Sequence, residues 1–188
     1  MAEAGKKELL ALVRNILPAG VSCVYIRQPY PLGLGHAVWC ARSIICNEAV
    51  AVILADDLID ADHKPCLKQM LEVYQRTGNS VLAIQEIDPQ YSKKYGIVEV
   101  KENIVTSPVI TRIVEKPDPK HAPSNFAVVG RYILTPRIFE LLGTVTSGAQ
   151  GEIQLTDGIA ALMQEENVRA YRFSGTRYDC GNKLEYLK

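Results

Sequence analysis

The chain has 188 residues, 21 Lys+Arg balanced by 21 Asp+Glu, 47% hydrophobic residues and 22% charged residues. That length fits one domain, and the composition excludes a disordered, collagenous or coiled-coil chain. Zero formal net charge lacks the electrostatic footprint of a general nucleic-acid binder, while leaving room for a local basic site that meets a small phosphate.

In chain order, Leu9, Leu10, Leu12, Val13, Ile16 and Leu17 predict a helix over 6–17, stopped by Pro18 and Gly20. A β-prone run follows at 23–26, then a turn-rich loop, Gln-Pro-Tyr-Pro-Leu-Gly-Leu-Gly, at 28–35. Residues 36–45 read as a helix packed by Val38, Trp39 and Ile44. The run at 50–55 is apolar on both alternating faces, the pattern of a central parallel strand covered by helices on both sides, and it ends in Asp56-Asp57. A helix is predicted over 64–76, ended by Gly78-Asn79, and a strand over 80–84. This alternation predicts right-handed βαβ units and a mostly parallel sheet. The segments 96–101, 104–106 and 109–115 predict a β meander beside the main sheet. A long strand over 125–134 and a helix over 136–142 with Pro at its start come next. Residues 153–164 are amphipathic, 168–173 form a last strand, and a polar turn at 179–182 precedes a terminal helical turn. No repeat, low-complexity tract or linker interrupts the chain, so one α/β unit is expected.

The purest apolar run, 49–55, falls far short of the ~20 residues a bilayer span needs. The N-terminal residues lack a signal-peptide core. No membrane partner and a cytoplasmic location are therefore expected. Cys23, Cys40, Cys46, Cys66 and Cys180 form no CxxC pair, and three sit in apolar runs, which predicts reduced, buried thiols. His36, His63 and His121 are scattered, which argues against zinc.

Four places are candidates for chemistry, and the plainer alternatives are an ordinary surface turn for the loop at 28–35 and a charged strand end for Glu115-Lys116. Asp56-Asp57 follow a buried strand, at the strand end where open α/β sheets bind ligands, and two adjacent carboxylates there suit a hard cation; a turn or helix cap is the plainer alternative. In the loop at 28–35, prolines stiffen the backbone, glycines allow close approach, and Gln28 offers a donor and an acceptor to a nucleobase edge. Glu115 and Lys116 close a β run and point to opposite faces unless the strand bends; Lys116 suits a phosphate and Glu115 a hydroxyl. Asp179, in a turn after a strand, completes a cation site with Asp56 if the fold joins them, and otherwise stabilises its own turn. No Walker loop, GxGxxG fingerprint or G-x-S-x-G elbow occurs.

These segments occur together in one order: Arg27-Gln-Pro-Tyr-Pro-Leu-Gly-Leu-Gly-His-Ala37, Val52-Ile-Leu-Ala-Asp-Asp57, Lys94-Tyr-Gly-Ile-Val98, Ile113-Val-Glu-Lys-Pro117, 125–132, Gly151-Glu-Ile-Gln-Leu-Thr-Asp157 and Arg177-Tyr-Asp-Cys-Gly-Asn-Lys183. From about Lys6 onward the chain resembles the bacterial UTP–glucose-1-phosphate uridylyltransferases. Any one of these motifs is only suggestive; all seven in order, Gly-Glu-Ile-Gln-Leu-Thr-Asp and Asp-Cys-Gly among them, separate that family from its thymidylyl and adenylyl relatives. The resemblance implies a Rossmann-like, glycosyltransferase A-like nucleotidyltransferase fold with a mixed, mostly parallel sheet, present as one partial domain over 1–188. It implies Mg²⁺-dependent conversion of UTP and glucose 1-phosphate to UDP-glucose and pyrophosphate, usually by a homo-oligomer. Carried over by motif, Gln28 and Gly33 contact uracil, Asp56 and Asp179 hold magnesium, and Asp56 also serves the nucleotide. Gly96 and Glu115 contact glucose, Lys116 meets the sugar phosphate, and Asp56 and Lys116 are the catalytic pair. Ala55 replaces a common Pro or Gly and leaves the carboxylates intact. The family's Gly-rich G-x-G-T-R loop, which cradles the triphosphate, has no match here, so an N-terminally truncated enzyme with little turnover of its own is expected. A related thymidylyl- or cytidylyltransferase, or a non-catalytic nucleotide-sugar binding fragment, are the alternatives.

Overall fold

The computed structural model describes residues 2–14, 16, 18, 20–61, 63–101, 106–145, 151–181 and 187. In chain order these form α1 (Ala2–Arg14), α2 (Leu34–Cys40), α3 (Arg42–Ile45), β1 (Val50–Ile53), β2 (Asp57–Asp60), α4 (Cys66–Thr77), β3 (Ser80–Glu86), a 3₁₀ helix (Pro89–Lys94), β4 (Gly96–Val100), β5 (Ile110–Glu115), β6 (Phe126–Leu134), α5 (Arg137–Thr144), α6 (Leu155–Leu162), β7 (Val168–Arg172) and β8 (Thr176–Asp179).

The main sheet runs β5-β4-β6-β3-β7. β3 is its most buried strand, with both faces apolar, because helices cover both sides. Leu82 and Ile84 join Val128, Tyr132 and Leu134 of β6 in a core closed by α2, α5 and α6. Val81 and Ala83 join Val129 and Ile133 against Met70 and Val73 of α4 on the other face. The period-2 alternation of two neighbouring strands thus feeds two helical layers. α4 ends where expected, with Gly78 in the left-handed conformation (φ +67°) and its N–H bonded to the Tyr74 carbonyl.

The sheet is mixed, but the expectation of mostly parallel pairing is corrected. β1, β3 and β4 each pair antiparallel with β6, and only β3–β7 is a parallel ladder among the described strands. Because β6 lies antiparallel between them, β1, β3, β4 and β7 still share one direction. β1 is not a doubly covered central strand: Ala51 and Ile53 are exposed, and its second edge has no partner among the described residues. β4 and β5 join the main sheet rather than lying beside it. The helix expected over 36–45 breaks at Ala41, and Ile44 is exposed rather than packed. Residues 23–26 form no strand. Most of the run expected over 104–106, and the terminal helical turn, lie outside the described residues. Cys66 is buried, but Cys23 and Cys46 are exposed, so burial of the thiols holds in part; all five are unpaired.

Candidate active site

The site begins at a break in one edge of β6. β4 occupies that edge at Phe126 and Ala127, and β1 occupies it from Arg131 to Leu134. Between them, Gly130 turns its backbone to the chain leaving β1. Its carbonyl accepts from Leu54 N (2.9 Å), and its N–H donates to Asp57 Oδ2 (2.6 Å). A Cβ at Gly130 would lie 2.6 Å from that same oxygen and 2.7 Å from Leu54 Cβ, so only glycine fits. Arg131 secures the turn by donating to the carbonyls of Leu54, Gly130 and Asp57.

From this turn β2 departs and pairs antiparallel with β8, setting Asp57 opposite Asp179. Cys180 N donates to Asp56 O (2.7 Å), which brings the preceding acid beside the end of β8. Asp56 and Asp179 converge: a Cβ placed on Gly181 would stand 3.4 Å from Asp56 Oδ2 and 3.2 Å from Asp179 Oδ1. The absence of a side chain at Gly181 leaves the space between the two carboxylates open.

The neighbouring acid has a different role. Asp57 is buried, and its second oxygen pairs with Arg177 Nε at 2.5 Å. Arg177 Nη1 donates to Tyr95 Oη (3.3 Å), and Tyr95 in turn donates to Asp179 Oδ2 (3.1 Å). Burial alone would pull the Arg177 guanidinium down, but the hydrogen bonds to Tyr95 and Asp57 and the Asp57 charge outweigh it and hold it above its usual value.

A cavity of about 320 Å³ opens beside these acids. Asp56, Asp179, Gly96, Glu115 and Lys116 all line it, so five of the seven residues singled out from sequence meet in one place. Gly96 and Glu115 face each other across the β4–β5 ladder. The chain bends after Glu115: Lys116 has φ +44°, in the left-handed region, and its N–H bonds to Tyr95 O. The bend brings Glu115 and Lys116 to the same cavity, with Nζ 3.6 Å from Oε1. A left-handed lysine directly before a proline is strained, as often found where a side chain is aimed at a ligand. Gln28 and Gly33 do not line the cavity; they adjoin it through Leu34, which does. Gln28 Nε2 donates to Gly33 O (3.0 Å) and to His36 Nδ1 (2.9 Å). Since a carbonyl only accepts, the amide NH₂ must face Gly33, and Oε1 is turned away from it.

Two hydroxyls in the cavity wall were not singled out from sequence. Thr156 is 8% exposed, and its Oγ1 has no hydrogen-bond partner among the described residues. Burial, with Glu115 and Asp57 nearby, pushes the Tyr132 phenol up, so it stays a neutral O–H. Arg177 was also missed as a site residue. The available signal was its position two residues before Asp179, which on a strand puts both on one face. A larger hollow of about 540 Å³, lined by Asp60, His63 and Lys64, has one buried polar side chain, Gln69, whose amide is saturated by Lys64 O, Ser174 and Tyr171.

Comparison with known proteins bears on this geometry. The profile of the nucleotidyl transferase family matches residues 2–188. The UTP–glucose-1-phosphate uridylyltransferase 2 of Staphylococcus saprophyticus is 43% identical over 188 residues, all of this chain and 64% of that protein. A UDP-glucose pyrophosphorylase solved with UDP-glucose superimposes with a TM-score of 0.87 at 41% identity, covering 98% of this chain and 70% of the other. A UTP-bound enzyme of the same kind from Acinetobacter baumannii gives 0.86 at 39%, covering 99% and 65%. The chain thus spans somewhat under two-thirds of the length of the curated relatives it matches. With the profile matching nearly every residue, the chain belongs to the nucleotidyl transferase family.

Proposed function

We propose that this chain carries the sugar-phosphate and cation side of a uridylyltransferase site, in which UTP and glucose 1-phosphate give UDP-glucose and pyrophosphate. The observation that supports the reading best is the gathering of Asp56, Asp179, Gly96, Glu115 and Lys116 around one cavity. In that reaction a phosphate oxygen of glucose 1-phosphate attacks the α-phosphorus of UTP, and the bond to the β-phosphate oxygen breaks. The chemistry asks for positioning and charge neutralisation rather than a protein nucleophile.

Each residue has a place in this scheme. Lys116 offsets the repulsion between the incoming phosphate and the nucleotide. Glu115 accepts hydrogen bonds from sugar hydroxyls, and the missing side chain at Gly96 leaves room for the ring. Uracil presents an N–H between two carbonyls; Gln28 Oε1 supplies the acceptor for that N–H, and the Gly33 N–H a donor to a carbonyl. Asp56 and Asp179 fit a hard divalent cation: two carboxylates converge on an open space, and magnesium takes few protein ligands, leaving the rest to substrate oxygens and water. Magnesium, when bound, draws charge from the α-phosphate. The reading extends to a cytoplasmic location, where five free thiols persist, and to a homo-oligomer, for which exposed Ala51 and Ile53, on a strand whose second edge has no partner among the described residues, offer surface.

Calorimetry tests it. UDP-glucose should bind more tightly with Mg²⁺ than in EDTA, and roughly tenfold more tightly than CDP-glucose. Asp56→Asn and Asp179→Asn should each remove the magnesium dependence. If neither changes it, the cation assignment is wrong; equal affinity for dTDP-glucose would move the reading to a thymidylyltransferase.

A further inference from the structure

We propose that Arg177 is a positioning residue for the cation: it withdraws Asp57 from the acidic cluster and, with Tyr95, fixes the Asp179 carboxylate opposite Asp56. The inference rests on reading Asp56 and Asp179 as the cation ligands.

Three carboxylates, those of Asp56, Asp57 and Asp179, meet where β2 pairs with β8. Left to themselves they would repel and splay. Arg177 prevents this from within the fold, its side chain only 9% exposed. Its Nε side takes Asp57, whose other oxygen is already held by Gly130 N, so each Asp57 oxygen is tied to a donor of the fold and its charge is paired. Its Nη1 side takes Tyr95 Oη, which passes a hydrogen bond to Asp179 Oδ2, while Nη2 stands 3.7 Å from that same oxygen. Asp179 is thereby held through Oδ2, while Oδ1, on the side toward Asp56, accepts from Gly181 N (3.1 Å), so both its oxygens are fixed in place. The planar fork of arginine can serve Asp57 and Tyr95 together; the single ammonium of lysine cannot hold the same two directions.

The test is a Mn²⁺ titration followed by electron paramagnetic resonance, at saturating UDP-glucose, with UDP-glucose affinity in EDTA measured separately. Arg177→Lys keeps the charge beside Asp57 and loses the fork. It should weaken Mn²⁺ about tenfold while leaving metal-free UDP-glucose affinity within twofold of the parent. Arg177→Met should weaken Mn²⁺ further, so that lysine gives partial rescue. Met70→Ala, in the core on the α4 side, should lower the melting temperature without moving Mn²⁺ affinity, which separates positioning from general loosening. If Arg177→Lys does not fold, Tyr95→Phe decides, by the same loss of Mn²⁺ affinity with an unchanged far-UV spectrum. Parent-like Mn²⁺ affinity in the deciding variant overturns the proposal. If Asp56→Asn and Asp179→Asn lose Mn²⁺ in that case, the proposed function stands without it; if they too bind Mn²⁺ normally, that reading fails as well.

Discussion

Asp56 and Asp57 are adjacent in sequence and opposite in consequence. Asp57→Asn keeps the shape and removes the charge. One amide oxygen still accepts from Gly130 N, but the NH₂ then faces Arg177 Nε, donor against donor, at a position where Asp57 and Arg177 are both nine-tenths buried. Removing one member of a buried ion pair costs roughly 3–5 kcal/mol. Asp179, 3.7 Å from Arg177 Nη2, still supplies some compensation, which places the expected loss near the lower end, about 3 kcal/mol. For a chain of this size that is a fall in melting temperature of roughly 6–12 °C. Asp56→Asn alters an exposed side chain and should stay within about 0.5 kcal/mol of the parent, while removing the magnesium dependence of UDP-glucose binding. Urea and thermal unfolding followed by far-UV circular dichroism measure both. A loss under about 1 kcal/mol for Asp57→Asn, or an equal loss for Asp56→Asn, would refute the division of labour between the two acids.

At Gly96, an added methyl would come 2.9 Å from Thr156 Cγ2 and 3.3 Å from Glu115 Oε2; Gly96→Ala should cost about 1–3 kcal/mol and weaken UDP-glucose binding in calorimetry, and an unchanged melt and affinity would count against it. Lys116→Ala and Lys116→Gly should both reduce glucose 1-phosphate binding more than UTP binding. Only the glycine relieves the left-handed backbone, so it should unfold about 0.5–1 kcal/mol later than the alanine; equal stability would remove the argument for strain. Timed alkylation with iodoacetamide at pH 8, read by peptide mass spectrometry, should modify Cys23 and Cys46 well before Cys66, since burial pushes the Cys66 thiol up to about 11 and withholds both the thiolate and access; early labelling of Cys66 contradicts its burial at the start of α4.

Strong local signals were legible in the sequence. The strand expected over 80–84 is found as β3, and the helix expected over 64–76 as α4, closed by the glycine expected to end it. What was not legible was pairing direction. The run at 50–55 has the composition of a central strand, but composition does not say that β6 will lie antiparallel beside it. β2 and β8 were missed because Asp-Leu-Ile-Asp and Thr-Arg-Tyr-Asp are short and charged, and each is stable only through the other. The candidate site shows the same limit. Asp56, Asp179 and Lys116 were picked for their chemistry, but the bend that turns Lys116 toward Glu115 is a backbone property no spacing rule contains. Arg177 reads in sequence as an ordinary surface cation until Asp57 is seen to be buried against it.

The ribbon joining Asp57 to Asp179 also sets a schedule for synthesis. Its two strands are separated by more than half of the chain, and loop closure over such a span comes late unless other contacts shorten it first. While the polypeptide is emerging from the ribosome, the sheet around β3 and β6 can already be assembling, but the acids stay apart until residues 176–179 arrive. A growing chain therefore holds the carboxylates of Asp56 and Asp179 apart until the second strand of the ribbon has been made, and the cavity wall they share is among the last parts of the fold to form.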